Sequence, residues 1–172
     1  FRGYPGIIVS AGPSLKKNAA LLKQFHDRAV IVVVDTAIKP LQKSGSDAHL
    51  VMTLDAQKHI IKHFLGQKSH APALVADMVS CPSILRDYRG QKLLSTTARY
   101  FTNPDGSIHR EATPVMGWIE KFIPPVGDIQ SGGSVATSAF DLLLTMGCDP
   151  IILTGQDLAY TGREIHCNGT HH

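Results

Sequence analysis

Four aspartates, Asp35, Asp55, Asp77 and Asp157, stand at or just past the carboxy ends of four short apolar runs. In open α/β sheets that is the edge at which ligands are held. A carboxylate placed there either caps the helix that follows or accepts hydrogen bonds from a ligand. Asp77, which leads toward a short helical pattern behind Pro82, reads as structural. Asp55 and Asp157 read as ligand groups, contacting ribose hydroxyls, a sugar or a metal, with no metal site assigned. His166 adds proton chemistry. It follows the last apolar run by the polar segment Ala159-Tyr160-Thr161-Gly162-Arg163-Glu164, which can fold back over the same edge, and an imidazole there can act as general acid or base near neutral pH. His166 and Asp157 are therefore the candidate catalytic residues. His59 and His63 are four residues apart, but Ile60 and Ile61 lie between them and the Glu of an H-E-x-x-H pattern is missing, so they read as a solvated helix face. His171 and His172 are assigned no role.

A second set of residues suits an anion. Gly6-Ile7-Ile8-Val9-Ser10-Ala11-Gly12-Pro13-Ser14-Leu15-Lys16-Lys17 reads as strand, tight turn and helix. Ile7 to Val9 fit a strand buried on both faces, and Leu15, Ala19, Leu22 and Phe25 recur at helical spacing. Ala11 and Gly12 leave room for a ligand at the backbone, Pro13 sets the chain direction, and Ser14 is a good N-cap. A helix start favours acidic residues by about 0.3–1 kcal/mol each, yet this one carries Lys16 and Lys17. Either the lysines are solvated, or a phosphate held at Gly12, Pro13 and Ser14 supplies the missing negative charge; the second reading is preferred. Ser131-Gly132-Gly133-Ser134 opens another helix. Its two glycines cost about 1 kcal/mol apiece in helix propensity, which points to close approach of a ligand ahead of a merely flexible connection behind Pro124-Pro125. The first stretch is neither a Walker A loop nor a G-x-G-x-x-G fingerprint.

The elements that must position these groups alternate. Val30 to Val34, Leu50 to Leu54 and Ala73 to Ala76 are further buried strands, and Lys92 to Ser95 is a candidate fifth. Short helices follow Asp35-Thr36-Ala37, where Pro40 either opens or bends the helix, run through Ile60, Ile61 and Phe64, and lie at Ile84 to Tyr88. A strongly amphipathic helix carries Val135, Ala139, Leu142, Leu143 and Met146 on one face and stops at Gly147; Pro150 to Thr154 is the last buried strand. Strands separated by helices, none of the first four alternating polar and apolar, imply an α/β fold, Rossmann-like, with a mostly parallel sheet covered by helices on both faces. The segment 98–130 breaks the rhythm with the turn Asn103-Pro104-Asp105-Gly106 and a helix-like run holding Trp118 and Phe122. It is either a lid or insertion, or an inert excursion that packs Trp118 against the sheet.

The 172 residues suffice for one domain with a full core. The chain starts at Phe1 and ends soon after a strand pattern, which suggests an excerpt of a longer protein. A net charge of +3 with scattered lysines and arginines argues against a nucleic-acid partner, and no apolar run reaches membrane-spanning length. Cys81, Cys148 and Cys167 fit neither a disulfide framework nor metal-binding spacing, which points to a reducing, cytoplasmic setting.

Tyr4-Pro5-Gly6-Ile7-Ile8-Val9 with Ala11-Gly12-Pro13-Ser14-Leu15, Asp35-Thr36-Ala37 with Lys39-Pro40-Leu41, Thr53-Leu54-Asp55, Ser131 to Val135 and Gly155-Gln156-Asp157-Leu158-Ala159-Tyr160 together resemble the central domain of the motility accessory factors. The domain family also includes archaeal 6-hydroxymethylpterin pyrophosphokinases and is similar to bacterial sialyltransferases that use CMP-sugars. The resemblance implies a glycosyltransferase that moves a nonulosonic acid from a CMP-sugar donor to Ser or Thr of flagellin. It also implies that Asp35, Thr36, Asp55 and Gln156 join Gly12, Pro13, Ser14 and the Ser131 to Ser134 helix start in binding the nucleotide-sugar. Where the pterin kinases favour a Thr-Asp-Leu-Asp segment, this chain has Thr53-Leu54-Asp55-Ala56-Gln57, one carboxylate fewer for magnesium-ATP. A pterin pyrophosphokinase and a non-catalytic nucleotide-binding module are the alternatives.

Overall fold

The computed structural model describes residues 1–66, 71–123, 126–130, 132–160, 164–167 and 170. Its strands follow the apolar runs: β1 (Gly6–Val9), β2 (Val30–Val34), β3 (Leu50–Thr53), β4 (Ala73–Asp77), β5 (Lys92–Thr102), β6 (Ile108–Glu111), β7 (Asp128–Gln130) and β8 (Ile151–Thr154). They form one sheet in the order β6-β5-β4-β3-β2-β1-β8, with β7 beside the outer half of β5. Every pairing is parallel except that of β5 with β6. The all-apolar runs explain the central strands, since a residue pointing to either face of β1 or β2 meets the core; Ile8, Val9, Ile31 and Val32 are completely buried.

Short helices connect the strands. α1 (Leu15–Asn18) continues as a 3-10 helix over Ala19–Phe25, α2 (Ile38–Lys43) follows a 3-10 turn at Asp35–Ala37, and α3 (Ile61–Phe64) follows another at Lys58–Ile60. The expected single helix from Leu15 to Phe25 is thus divided: Leu15, Ala19 and Leu22 are buried as anticipated, but Phe25 is exposed. Pro40 occupies the third position of α2, where an amide would lack an intrahelical partner anyway, so it opens the helix and does not bend it. α4 (Pro82–Asp87), α5 (Pro114–Ile119) and α6 (Val135–Thr145) complete the set. Right-handed connections from β1 through β5 put α1 to α4 on one face. α6 packs against β1, β2, β3 and β8 with Ala139 and Leu143 fully buried.

Two expectations need correction. The last strand, read as buried, forms the edge of the sheet: consecutive residues Ile152 and Leu153, which point to opposite faces, are 47% and 52% exposed. The segment 98–130 does not pack Trp118 on the sheet. It lengthens β5, turns back through β6 and continues through α5 to β7, while Trp118 and Phe122 lie exposed against one another with ring centres 5.0 Å apart. Arg110 of β6 fastens the unit, pairing with Glu120 at 2.7 Å and Asp128 at 2.5 Å.

Candidate functional site

β2 adds to the sheet on one side of β1 and β8 on the other, so the chain reverses its direction of travel across the sheet at β1 and leaves a crevice above the carboxy ends of these strands. A cavity of about 580 Å³ opens there. Six pieces of chain line it: the turn after β1, the end of β2, the stretch from the end of β3 into α3, the start of α6, the turn after β8, and the returning tail with Ile165 and His166. No described residue of 98–130 does so, because the hairpin lies at the far edge of the sheet.

The turns after β1 and β8 are locked together. The Gly12 amide donates to the Gly155 carbonyl at 2.7 Å, and the Ser14 amide donates to Asp157 Oδ2 at 2.8 Å while its hydroxyl donates to Oδ1. A Cβ on Gly12 would stand 2.5 Å from the Gly155 carbonyl oxygen, and one on Gly155, at φ +70°, would stand 2.0 Å from that of Ser10. Both glycines are required by the crossing of two backbones, which at Gly12 replaces the expected approach of a ligand. The anion expectation for this turn is corrected for the same reason. The Gly12, Ser14 and Leu15 amides all have protein acceptors, Pro13 has none to offer, and the negative charge missing from the helix start is the carboxylate of Asp157. Ser14 therefore does not cap α1 with its side chain. Its two hydrogen bonds, the hydroxyl's first, hold the Asp157 carboxyl below the usual range. Lys16 pairs with Glu164 at 2.7 Å, and the Cys167 amide donates to the Ala11 carbonyl at 2.7 Å; these contacts bring His166 back to the cavity. Leu158, between them and the strand, takes φ +52°, a conformation that costs a non-glycine residue about 1–2 kcal/mol.

The opposite end of the lining is acidic and imidazole-bearing. Asp35 is 3% exposed; its Oδ1 accepts from the Thr36 amide at 2.7 Å and its Oδ2 from the Thr53 hydroxyl at 2.8 Å. Burial pushes its carboxyl up to about 6 despite these bonds; Asp55 raises it further and His59 opposes the shift. Asp55 accepts from the Gln57 amide and sits 3.7 Å from His59 Nε2. The reading of a solvated face holds for His59, which is exposed at the rim, and is corrected for His63, which is buried; both line the cavity. The signal was present, since Ile60, His63 and Phe64 have the i, i+3, i+4 spacing of an inward stripe.

α6 supplies the remaining wall. Ser134 caps it, exchanging hydrogen bonds with Thr137 in a capping box, and Ser134, Val135 and Ala136 line the cavity with the first turn of an eleven-residue helix. Gly132 donates to Thr137 Oγ1 at 3.1 Å and Gly133 takes φ +88°, so these glycines shape the cap and neither lines the cavity. Ser131 lies outside the described residues, as do Pro124, Pro125 and Thr161 to Arg163. Asp77 keeps its structural role through the Val79 amide and the Thr97 hydroxyl, away from the cavity. Of the residues expected in the site, Gly12, Asp35, Thr36, Asp55, Ser134, Gln156, Asp157 and His166 come together; Pro13, Ser14, Gly132 and Gly133 stand behind them. Among the described residues no cluster of three or more His, Cys, Asp or Glu is placed to hold a metal, and no helix is long and apolar enough to cross a membrane.

A mostly parallel sheet with a cavity above its point of reversal and a capped helix start in the cavity wall defines a Rossmann-like α/β domain. The chain belongs to the 6-hydroxymethylpterin diphosphokinase MptE-like family, whose profile matches residues 1–163. Among solved structures it is similar to the MAf glycosyltransferase from Magnetospirillum magneticum AMB-1, with TM-score 0.70 and 20% identity over 93% of this chain. The match spans 24% of that protein's length, and at this identity the likeness is one of fold. A KDPG aldolase from Legionella pneumophila aligns at TM-score 0.41 and 16% identity over 87% of this chain and 69% of its own, too distant to carry an argument. None of the curated proteins matches the sequence.

Proposed function

We propose that the domain binds a nucleotide-activated sugar and transfers the sugar, a nonulosonic acid from a CMP-linked donor, to a serine or threonine hydroxyl of flagellin. The observation that carries this reading is one cavity holding a helix start suited to phosphate, carboxyl groups suited to hydroxyls, and an imidazole on the returning tail. The fold shared with a MAf glycosyltransferase supports it. The first amides of α6 hold the donor phosphate and stabilise the charge that grows there as the bond from the anomeric carbon to the phosphate oxygen breaks. Asp35 and Thr36 contact the donor, Asp55 meets its hydroxyls, and Gln156 orients it. His166 accepts the acceptor's hydroxyl proton as that oxygen bonds to the anomeric carbon, and CMP departs with the electron pair. Asp157, tied to Ser14, positions the turn and does not react. The buried, free cysteines suit a reducing, cytoplasmic setting.

Calorimetry with CMP and ATP tests the reading: CMP is expected to bind at least tenfold more tightly. Tight ATP binding with AMP release from ATP and hydroxymethylpterin refutes it in favour of the pyrophosphokinase that the family description suggests. A CMP-sugar that binds and is never turned over in the full-length protein identifies a non-catalytic module.

A further inference from the structure

The least exposed carboxyl of the cavity wall has a geometry suited to more than accepting hydroxyls. Asp35 sits where β2 ends, 3% exposed, with one donor on each oxygen. Neither donor carries a charge, and among the described residues no cation is bonded to it. The charged groups acting on it from the neighbouring β3 end are Asp55, which opposes its ionisation, and His59, which favours it but is itself engaged with Asp55 at 3.7 Å. From α3, His63 shares the cavity, and across the cavity so do Asp157 and His166; Lys39 and Lys43 of α2 and Lys62 of α3 are not in its lining. A carboxylate buried among neutral donors and beside a second carboxylate is poorly compensated, whereas a carboxylic acid in the same place is satisfied and has a proton to share.

We propose that Asp35 meets the ligand as a neutral carboxylic acid donating a hydrogen bond to a phosphate oxygen, so that the phosphate-bearing ligand enters the cavity together with one proton. This rests on the nucleotide reading above and deepens it. Burial has already brought the carboxyl to about 6 without ligand, and a neighbouring phosphate raises it further, so the proton is taken up at neutral pH. An anion approaching ionised Asp35 and Asp55 together meets two like charges; approaching protonated Asp35 it meets one charge and a donor. The site then selects a singly charged phosphodiester, the linkage of a nucleotide-sugar, over a polyphosphate of higher charge.

The probe is cytidine 5′-(methyl phosphate), a diester whose single charge is constant between about pH 5.5 and 9. With the wild-type protein its dissociation constant should rise at least tenfold between pH 6 and 8, approaching tenfold per pH unit above the carboxyl's midpoint. Calorimetry at pH 7.5 in two buffers of different ionisation enthalpy should count more than half a proton taken up. Asp35→Asn still accepts from the Thr36 amide and reverses the bond with the Thr53 hydroxyl, with a permanently neutral side chain, so its affinity should change less than twofold over the same range with no proton uptake. Proton uptake that persists in Asp35→Asn assigns the effect to His59, His63 or His166 and overturns the proposal, as does binding by wild type without uptake. Independently of any ligand, a carbon-13 titration of the Asp35 carboxyl with its midpoint in the ordinary aspartate range overturns it as well. A probe that binds neither protein at any pH refutes the nucleotide reading itself, and this inference with it.

Discussion

Replacing Asp35 with asparagine should stabilise the protein at neutral pH and leave it unchanged in acid. The folded carboxyl titrates at about 6 and the unfolded one at 3.8. The folded state therefore binds more protons than the unfolded chain between these values, and stability falls as pH rises through them. Above about pH 7 the ionised carboxylate is buried at a cost of about 3 kcal/mol, from 1.36 kcal/mol per pKa unit. Asparagine fills the same space, still accepts the Thr36 amide with its carbonyl, and can donate to the Thr53 hydroxyl, so the cost of ionisation disappears while the contacts remain. Urea unfolding at pH 7.5 should show Asp35→Asn more stable by about 1–3 kcal/mol, the lower figure allowing for a denatured state that is itself partly compact. At pH 4 the two proteins should agree within about 0.5 kcal/mol. A variant less stable than wild type at pH 7.5, or a difference that does not change with pH, refutes the assignment of a buried, reluctantly ionised acid.

Three further outcomes follow from the crossing turns and the tail. Gly155→Ala should lose about 2–4 kcal/mol in the same unfolding assay, since the added methyl meets the Ser10 carbonyl and the residue must hold φ +70°. Asp157→Ala should cost about 1 kcal/mol, the scale of a lost helix cap, and weaken ligand binding only through disorder of the Ser14 turn; a loss of turnover with binding and stability intact restores Asp157 to a direct catalytic role. His166→Ala should lower turnover by about a hundred- to ten-thousand-fold at nearly unchanged nucleotide affinity; lost affinity with normal turnover of the bound fraction makes it a ligand contact.

The central sheet was legible because β1 and β2 are apolar on both faces, a pattern only a doubly covered strand needs. The same pattern misled at β8, where Ile152 and Leu153 look like core yet stand at an edge: composition reports what a strand is suited to meet, and the strand order that leaves β8 with one neighbour is not written in it. The full length of β5 was illegible for another reason, since its outer half pairs with β6 and β7, elements whose short polar runs resemble turns. In the site, Asp35, Asp55 and Asp157 were visible from strand endings alone. The Ser14 to Asp157 contact was not, because 143 residues separate the partners and no local periodicity encodes it. His63 was missed because the two histidines, lacking the Glu of a metal motif, read as a solvated face; a 3-10 turn leading into α3 turns Ile60 and His63 inward together.

The lock between the first and last turns also sets a clock. β1 cannot gain its second neighbour, nor Ser14 its carboxylate, until β8 and Asp157 have been made. At 5–20 residues per second the ribosome needs roughly 7–30 s to cover that interval, far longer than a helix or hairpin takes to form. During synthesis β1 therefore waits with one apolar edge unpaired, a template for wrong strands, while β2, β3 and β4 assemble beside it. The cavity is the last part of the domain to come into being, so a nascent chain that has already built most of its sheet holds no ligand, and binding reports that β8 and the turn after it are in place.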